Sequence, residues 1–376
     1  MIYLDNAATT FPKPKCMSAE IDRCIRRYCG NPGRSGHILS IKASEKIYEC
    51  RATLADFFGS SKPENVVFTM NTTYALNLAI KTLYHHGTHV LISNMEHNSV
   101  LRPIAELQKR GEITYSIFNV TGTIEDILLE LKNKMRQNTS MLIMSHASNI
   151  CGKIFPLREI GAFCKRNGLT FIVDAAQSAG IADIHTEDWG IDALCAPAHK
   201  GLYGPQGLGF VIFGEKQPIR TFIEGGNGTN SLSADMGLEL PESFEGGTLP
   251  TPLIAGLDAS AKWVKRIGVQ NINAHEAALA SLLAERLCSI RGSILYGPNK
   301  PETGIILYRN QRISVNELAS ILDAENICTR SGFHCAPLAH NTLCTGDNGA
   351  LRISIGFFNT NKDIDDIYTI INSVCK

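Results

Sequence analysis

Apolar positions along the chain follow two rhythms. Short, nearly continuous apolar runs occur at Val66-Val67-Phe68-Thr69, His89-Val90-Leu91-Ile92, Ile113 to Phe118, Met141-Leu142-Ile143-Met144 and Thr170-Phe171-Ile172-Val173. Runs of this kind predict strands buried on both faces. Between them, apolar residues recur at three- and four-residue spacing, as Leu76, Ala79, Ile80 and Leu83 do, which predicts helices over 73–84, 100–109 and 124–135. Pro156 is expected in the first turn of a further helix before Thr170. Gly207 to Phe213 reads as one more strand. A β-α-β-α alternation of this kind predicts a parallel sheet covered by helices on both faces.

The texture changes after about residue 215. A glycine-rich loop, Glu224-Gly225-Gly226-Asn227-Gly228-Thr229, leads to Phe244-Glu245-Gly246-Gly247-Thr248. Helical periodicity follows over 253–267 and 272–290, and the chain ends in shorter elements with a helix over 363–374. This stretch predicts a second, smaller α+β unit. Neither internal repeats nor low-complexity segments interrupt the pattern.

Composition narrows the function classes. The chain has 376 residues, enough for two or three packed units. Lys+Arg and Asp+Glu are both 36, and like charges form no long block, so a general basic surface for nucleic acid or anionic lipid is not expected. No apolar run approaches the ~20 residues that span a bilayer, and Met1-Ile2-Tyr3-Leu4-Asp5-Asn6 has no secretory pattern. The 12 cysteines are scattered without a CxxC, which favours free thiols in a reducing, cytoplasmic setting.

In open sheets, ligands collect beyond the carboxyl ends of the strands. That rule selects Asn71-Thr72-Thr73, Glu96-His97-Asn98, Ser145 to Asn149 and Asp174 to Gln177. Thr72 and Thr73 open a helix, where free N–H groups and hydroxyls suit a phosphate; Thr72 as a simple cap is the plainer alternative. Asp174 ends a buried strand and needs a cationic partner, either a protonated ring nitrogen, a helix cap contact or a metal. Lys200 follows His199 in the mostly uncharged, turn-rich stretch Ala196 to Pro205, where desolvation would favour a nucleophilic free amine over the exposed ammonium of an ordinary lysine. Cys335 lies in Arg330-Ser331-Gly332-Phe333-His334-Cys335-Ala336-Pro337, beside groups that favour a thiolate, though an inert thiol is the commoner fate of a cysteine. A metal cluster of His334, Cys335, His340 and Cys344 is a further option with no common zinc spacing. A nicotinamide-binding fold is disfavoured, because no GxGxxG follows the first strand.

Taken in order, several motifs occur together: Tyr3-Leu4-Asp5-Asn6-Ala7-Ala8-Thr9-Thr10, Asn31-Pro32-Gly33-Arg34-Ser35-Gly36-His37, Thr72-Thr73, Glu96-His97, Asp174-Ala175-Ala176-Gln177, His199-Lys200-Gly201-Leu202-Tyr203-Gly204-Pro205 and Arg330-x-Gly-x-His334-Cys335. In this the chain resembles the cysteine desulfurases and selenocysteine lyases of the class V aminotransferases, in particular the SufS-like branch with an R-x-G-x-H-C loop. The resemblance runs from residue 2 to about 370.

The resemblance implies a fold type I α/β architecture with a mostly parallel seven-stranded sheet. It implies a large cofactor-binding domain over 15–255, and a small domain over 256–376, with 1–14, carrying the Cys335 loop. The implied cofactor is pyridoxal 5'-phosphate. Lys200 would bind it covalently, Asp174 would pair with its ring nitrogen, Gln177 would contact the ring oxygen, and His97 would stack on the ring and serve proton transfer. Thr72, Thr73 and His199 would hold the phosphate, with Gly226 and Thr248 reaching the partner subunit's phosphate in a homodimer. Asn149 and Arg352, with Arg330 and His37, would bind the substrate, and Cys335 would be the nucleophile. No metal is implied. The implied substrate is L-cysteine, with L-selenocysteine or another amino acid as the alternative, and the implied acceptors are a SufE- or SufU-like protein or a selenophosphate synthetase. The chain departs from SufS-like patterns at Pro197 and Ala198, where a hydroxyl residue and glycine are usual, at Tyr74 in place of glutamate, and at Phe333 in place of a second histidine. Pro197 supplies neither hydroxyl nor N–H, so one phosphate contact is expected to be lost or moved.

Overall fold

The computed structural model describes residues 1–33, 36–216, 221–228 and 232–375. Arg34 and Ser35 of the Asn31–His37 motif, and Thr229 of the glycine-rich loop, lie outside the described residues. The expected sheet is present. Its seven strands lie in the order Val66–Thr69, Gly209–Phe213, Ala193–Pro197, Thr170–Asp174, Thr139–Ser145, Thr88–Ser93 and Ile113–Phe118. Gly209–Phe213 runs antiparallel to both of its neighbours, and the other neighbouring strands pair in parallel.

Alternation along each strand divides the sheet's side chains between two cores. Leu91, Leu142, Met144, Phe171, Val173, Leu194, Phe210 and Ile212 face one core. Val67, Val90, Ile92, Met141, Ile143, Ile172, Cys195 and Val211 face the other, where the helix Thr72–Leu83 packs through Ala75, Leu76, Ala79, Ile80 and Leu83. Both faces are therefore buried, which is why the strands read as continuous apolar runs.

The strand Ala193–Pro197 carries little sequence signal, since it is built from small residues and ends in proline. The turn-rich reading of 196–205 begins two residues too early, because Ala196 and Pro197 finish this strand, paired with Phe210 and Gly209. The strand expected from Gly207 begins at Gly209, because Gly207 sits at φ 80° in the turn before it. Pro156 immediately precedes the helix Leu157–Arg166. Helices Lys15–Arg27 and Ile38–Phe57 are not singled out by the apolar pattern.

A four-stranded antiparallel sheet, in the order Arg330–Gly332, Ala350–Ser354, Ile305–Asn310 and Ser293–Tyr296, forms the C-terminal part. Its core takes Leu279, Leu283, Tyr308, Leu318, Leu322, Ile353, Ile364 and Ile367, and also Leu4. The N-terminal Ile2–Tyr3 pairs in parallel with Ile327–Cys328. The chain therefore starts inside its own C-terminal layer. The expected division after residue 255 falls within the helix Thr251–Ile267, whose Ile254, Leu257 and Ala261 belong to the first large core. Among the described residues no helix is long and apolar enough to cross a membrane.

Arg51 and Glu245 fasten the loop before Thr248 onto the sheet. Arg51 Nη1 donates to Glu245 Oε1 at 2.9 Å, and Glu245 Oε1 also accepts the Phe68 N–H at 2.7 Å. Both side chains are buried, and burial pushes the Glu245 carboxyl up against the opposing pull of Arg51. Removing one partner strands the other charge in the core. Glu245→Ala is expected to lower the free energy of unfolding in urea by roughly 3 kcal/mol or more. Asp22→Ala, which breaks the exposed Arg26–Asp22 pair, should cost under ~1 kcal/mol.

Candidate active site

The parallel strands end on one side of the large sheet, and the C-terminal layer covers that edge. Between them lies a cavity of ≈ 390 Å³. It is lined by Thr72, Thr73, His97, Asn149, Asp174, Gln177, His199, Lys200, Arg330, Cys335 and Arg352, together with residues that the sequence reading assigned no role. Three of the expected site residues are not on its wall: His37, Gly226 and Thr248. His37 caps the helix Ile38–Phe57 by accepting the Ser40 N–H. Gly226 and Thr248 lie together in the loop held by Arg51 and Glu245, with the Gly247 N–H donating to the Gly226 carbonyl at 2.8 Å.

At one end, the helix Thr72–Leu83 points its N-terminus at the cavity. Asn71, not Thr72, is the cap: its side chain accepts the Tyr74 N–H at 3.0 Å and its carbonyl the Ala75 N–H. The first-turn N–H groups of Thr72 and Thr73 have no intrahelical acceptor, and the positive end of the helix dipole lies with them. This is an anion site. Thr73 Oγ1 lies 2.8 Å from Ser99 Oγ, which lies 2.9 Å from His97 Nδ1. His97 also accepts the Ser99 N–H on Nδ1, so its proton sits on Nε2. Burial, helped by the charges of Lys200, Arg352 and Arg102, lowers His97 to about 4 and keeps it neutral.

The floor carries opposite charges. Asp174 ends its strand fully buried and accepts the Ala176 N–H at 2.8 Å. Burial raises its carboxyl, and Lys200 partly offsets this. Burial lowers the Lys200 amine to about 8, Asp174 opposing that shift and Arg352 and Arg330 adding to it. Gly201 lets Lys200 come close to the turn after Asp174, since a Cβ there would stand 2.4 Å from the Ala179 carbonyl. The N-terminal segment grips the same peptide: Thr9 Oγ1 and Lys13 Nζ donate to the His199 carbonyl, and Thr10 Oγ1 to that of Lys200. Gln177 donates to the Ala7 carbonyl at 2.9 Å.

The roof carries two arginines. Arg330 and Arg352 are directly opposite across paired strands, an arrangement that repels unless neutralised. Asp5 neutralises it: Oδ1 accepts from Arg352 Nη2 at 2.8 Å, and Oδ2 lies 3.0 Å from Arg330 Nη2. Arg352 Nη1 donates to the Asn149 carbonyl, and Asn149 Nδ2 donates to that of His334. Asp5 was quoted in the opening motif without a role, and only this bridge reveals one. Glu96 is a second such residue. It is fully buried, accepts the Ser145 N–H at 2.8 Å, and is pushed up to about 8 by burial with Asp174 nearby.

Cys335 is exposed on the cavity wall, and its carbonyl accepts the Asn98 N–H at the start of a helix. The metal alternative for this loop fails, because His334 Nδ1 and His340 Nε2 lie 3.1 Å apart and are spent on each other. No group of three candidate ligands occurs among the described residues. None of the four departures, Pro197, Ala198, Tyr74 and Phe333, is on the cavity wall. Ala198 instead closes the following turn through its N–H to Leu208 and its carbonyl to Gly204.

The model of the family described as "Aminotransferase class-V" matches residues 2–367. The chain belongs to the class-V aminotransferase family. A curated relative described as "Probable cysteine desulfurase", from Methanothermobacter thermautotrophicus, is 32% identical over 373 residues, 96% of this chain and 92% of that one. Another with the same description, from Halalkalibacterium halodurans, is 32% identical over 97% of this chain and 91% of its own. Among solved structures, the apo cysteine desulfurase from Thermococcus onnurineus NA1 superposes with a TM-score of 0.90 at 30% identity, covering 100% of this chain and 94% of that one.

This family works with pyridoxal phosphate, and the cavity fits it. A helix N-terminus offers a phosphate site, Asp174 offers a buried anion for a ring nitrogen, and Lys200 offers an amine with a lowered pKa. Two buried nitrogens of wall residues, His199 Nδ1 and Arg352 Nε, have no hydrogen-bond partner among the described residues, which leaves polar capacity for a ligand.

The Lys200 shift sets a test in the protein freed of cofactor. Above about pH 8 Lys200 is a free amine, whereas exposed lysines stay charged to roughly pH 10.5. Reductive methylation followed by peptide mass spectrometry should label Lys200 with a midpoint about pH 8. Asp174→Asn removes the carboxylate that supports the charged form, so that midpoint should move down.

Proposed function

We propose that this chain is a pyridoxal phosphate-dependent cysteine desulfurase that converts L-cysteine to L-alanine and carries the sulfur away as a persulfide on Cys335. One observation carries the reading: a single cavity is lined by Lys200, Asp174, Arg352 and an exposed cysteine. The first three serve any amino-acid transformation in this family, whereas the cysteine serves sulfur transfer. The descriptions of the relatives and of the solved neighbour support it.

When bound, pyridoxal phosphate supplies an aldehyde for amine condensation and a ring that takes up the electron pair released at Cα. Thr72, Thr73 and His199 would hold its phosphate, and the Asp174 carboxylate would keep the ring nitrogen protonated. Arg352, on the cavity wall, would receive the substrate carboxylate, with Asn149 and Arg330 beside it, because a guanidinium matches a carboxylate well. Lys200 would hold the cofactor and, as a free amine, would take the Cα proton, a role its lowered pKa favours near neutrality. Neutral His97, with its Nε2–H fixed by Ser99, would serve proton transfer in the cavity. Cys335 Sγ attacks the substrate sulfur as a thiolate. An S–S bond forms, the Cβ–S bond breaks, and its electron pair stays on the carbon fragment, which gains one proton at Cβ and regains one at Cα, from Lys200, to leave as alanine.

The same proposal includes a large unit holding the cofactor, and a smaller C-terminal unit, with the N-terminal strand, carrying the Cys335 loop of the SufS-like branch. It also includes a homodimer in which Gly226 and Thr248 serve the partner subunit's phosphate site. A thiol-bearing protein would then take the persulfide sulfur.

Purified protein should be yellow and release alanine from L-cysteine with a reductant present. Cys335→Ala should abolish this while keeping the colour; alanine release at the wild-type rate would overturn the reading. Asp5→Asn leaves Arg330 and Arg352 facing each other with less compensation. It should raise KM for L-cysteine roughly ten-fold, with a smaller effect on kcat.

A further inference from the structure

Beside Cys335 runs a hydrogen-bonded chain that the desulfurase reading does not use. His334 Nε2 lies 3.1 Å from the Arg330 carbonyl, His334 Nδ1 lies 3.1 Å from His340 Nε2, and His340 Nδ1 lies 2.7 Å from Thr345 Oγ1. Donor logic fixes every proton. A carbonyl only accepts, so His334 carries its proton on Nε2. Its Nδ1 is then bare and needs a donor, which makes His340 Nε2 the protonated nitrogen. His340 Nδ1 is in turn bare and accepts the Thr345 hydroxyl. The chain runs one way, from Thr345 to the Arg330 main chain, and requires both rings to be neutral. Burial satisfies that requirement, holding His334 at about 3 and His340 at about 4.

His334 and Cys335 are consecutive residues with φ of 51° and 55°, a left-handed conformation that side chains other than glycine rarely adopt. Such a pair persists only when its surroundings over-determine it. Two anchors act on main-chain carbonyls: Asn149 Nδ2 on His334 and the Asn98 N–H on Cys335. The histidine chain is the third, and among the described residues it alone acts through a side chain of the pair. His340 and Thr345 are themselves buried, with the Phe333 ring edge-on to His340 at 5.4 Å. Neither is on the wall of the active-site cavity.

We propose that His340 is a positioning residue for sulfur transfer: by donating from Nε2 to His334 Nδ1 it locks the strained His334–Cys335 turn and thereby aims Cys335 Sγ at the substrate sulfur. The inference rests on the reading of Cys335 as the sulfur acceptor. It makes His340, which touches no reactant, matter to the step in which Cys335 attacks and leave substrate binding at Arg352 alone.

The test is steady-state kinetics of the holoenzyme with L-cysteine. His340→Phe keeps a ring against Phe333 but removes the donor. It should lower kcat roughly 10- to 100-fold, with KM within about two-fold and the cofactor absorbance unchanged. His340→Gln retains an N–H that can reach His334, and should recover most of the loss. A packing role predicts the reverse order, with Phe milder than Gln. Thr345→Val, which conserves volume and deletes the hydroxyl that sets the His340 tautomer, should lower kcat in the same direction and carries the test should His340→Phe fail to fold. Wild-type kcat in His340→Phe, equal loss in Gln and Phe, or wild-type kcat in Thr345→Val overturns the proposal. Cys335→Ser is run alongside. An inactive Cys335→Ser with an unaffected His340→Phe sinks this inference alone, whereas an active Cys335→Ser sinks the desulfurase reading beneath it.

Discussion

A buried anion and a half-buried cation at the carboxyl ends of neighbouring strands are the constraint on which the rest depends. Asp174 ends one strand, and Lys200 follows the next by three residues. Burial drives each toward its neutral form, and each supports the charge of the other. Isolated, either charge would be expensive enough to destabilise the fold. Together they form a site poised between protonation states, which suits the role proposed for Lys200. Gly201 and the grip of Thr9, Thr10 and Lys13 on the His199–Lys200 peptide keep the pair in place.

The N-terminus is as much a part of the site as the sheet. Its first strand pairs with Ile327–Cys328, so Leu4 enters the C-terminal core and Asp5 arrives between Arg330 and Arg352. One carboxylate thus cancels part of the charge of two guanidinium groups that face each other across a sheet. The roof of the cavity keeps a net positive character suited to a carboxylate substrate, without the repulsion of two uncompensated arginines. The Cys335 loop hangs from the same roof through Asn149, which links Arg352 to His334. Arg352, the proposed carboxylate site, and the Cys335 loop are therefore anchored on the same asparagine.

Much of this was legible in the residues. The sheet's strands were readable where both faces are buried, because continuous apolar runs leave little ambiguity. The strand Ala193–Pro197 was not, since Ala, Cys and Pro resemble a turn and its burial comes from neighbours distant in the chain. Thr72, Thr73, His97, Asp174, Gln177, His199, Lys200 and Cys335 were selected by position at strand ends and by motif, and they do line one cavity. Asp5 and Glu96 fell within the motifs but drew no role, and Ser99 and Thr345 were not selected. Each acts through a partner remote in sequence or through a cap, and their residue types are common in inert positions.

The sequence by itself determined the fold class, the end of the sheet at which chemistry would occur, and the residue types for a phosphate, a ring nitrogen and an amine. Those follow from local periodicity and from motifs whose spacing is set by strand and turn geometry. Only the tertiary structure decided which charges compensate one another and which protons the histidines carry. Asp5 reaches Arg352 across 347 positions of chain, and a tautomer is fixed by whichever partner the fold brings to each nitrogen. Neither quantity is a property of any local stretch of sequence.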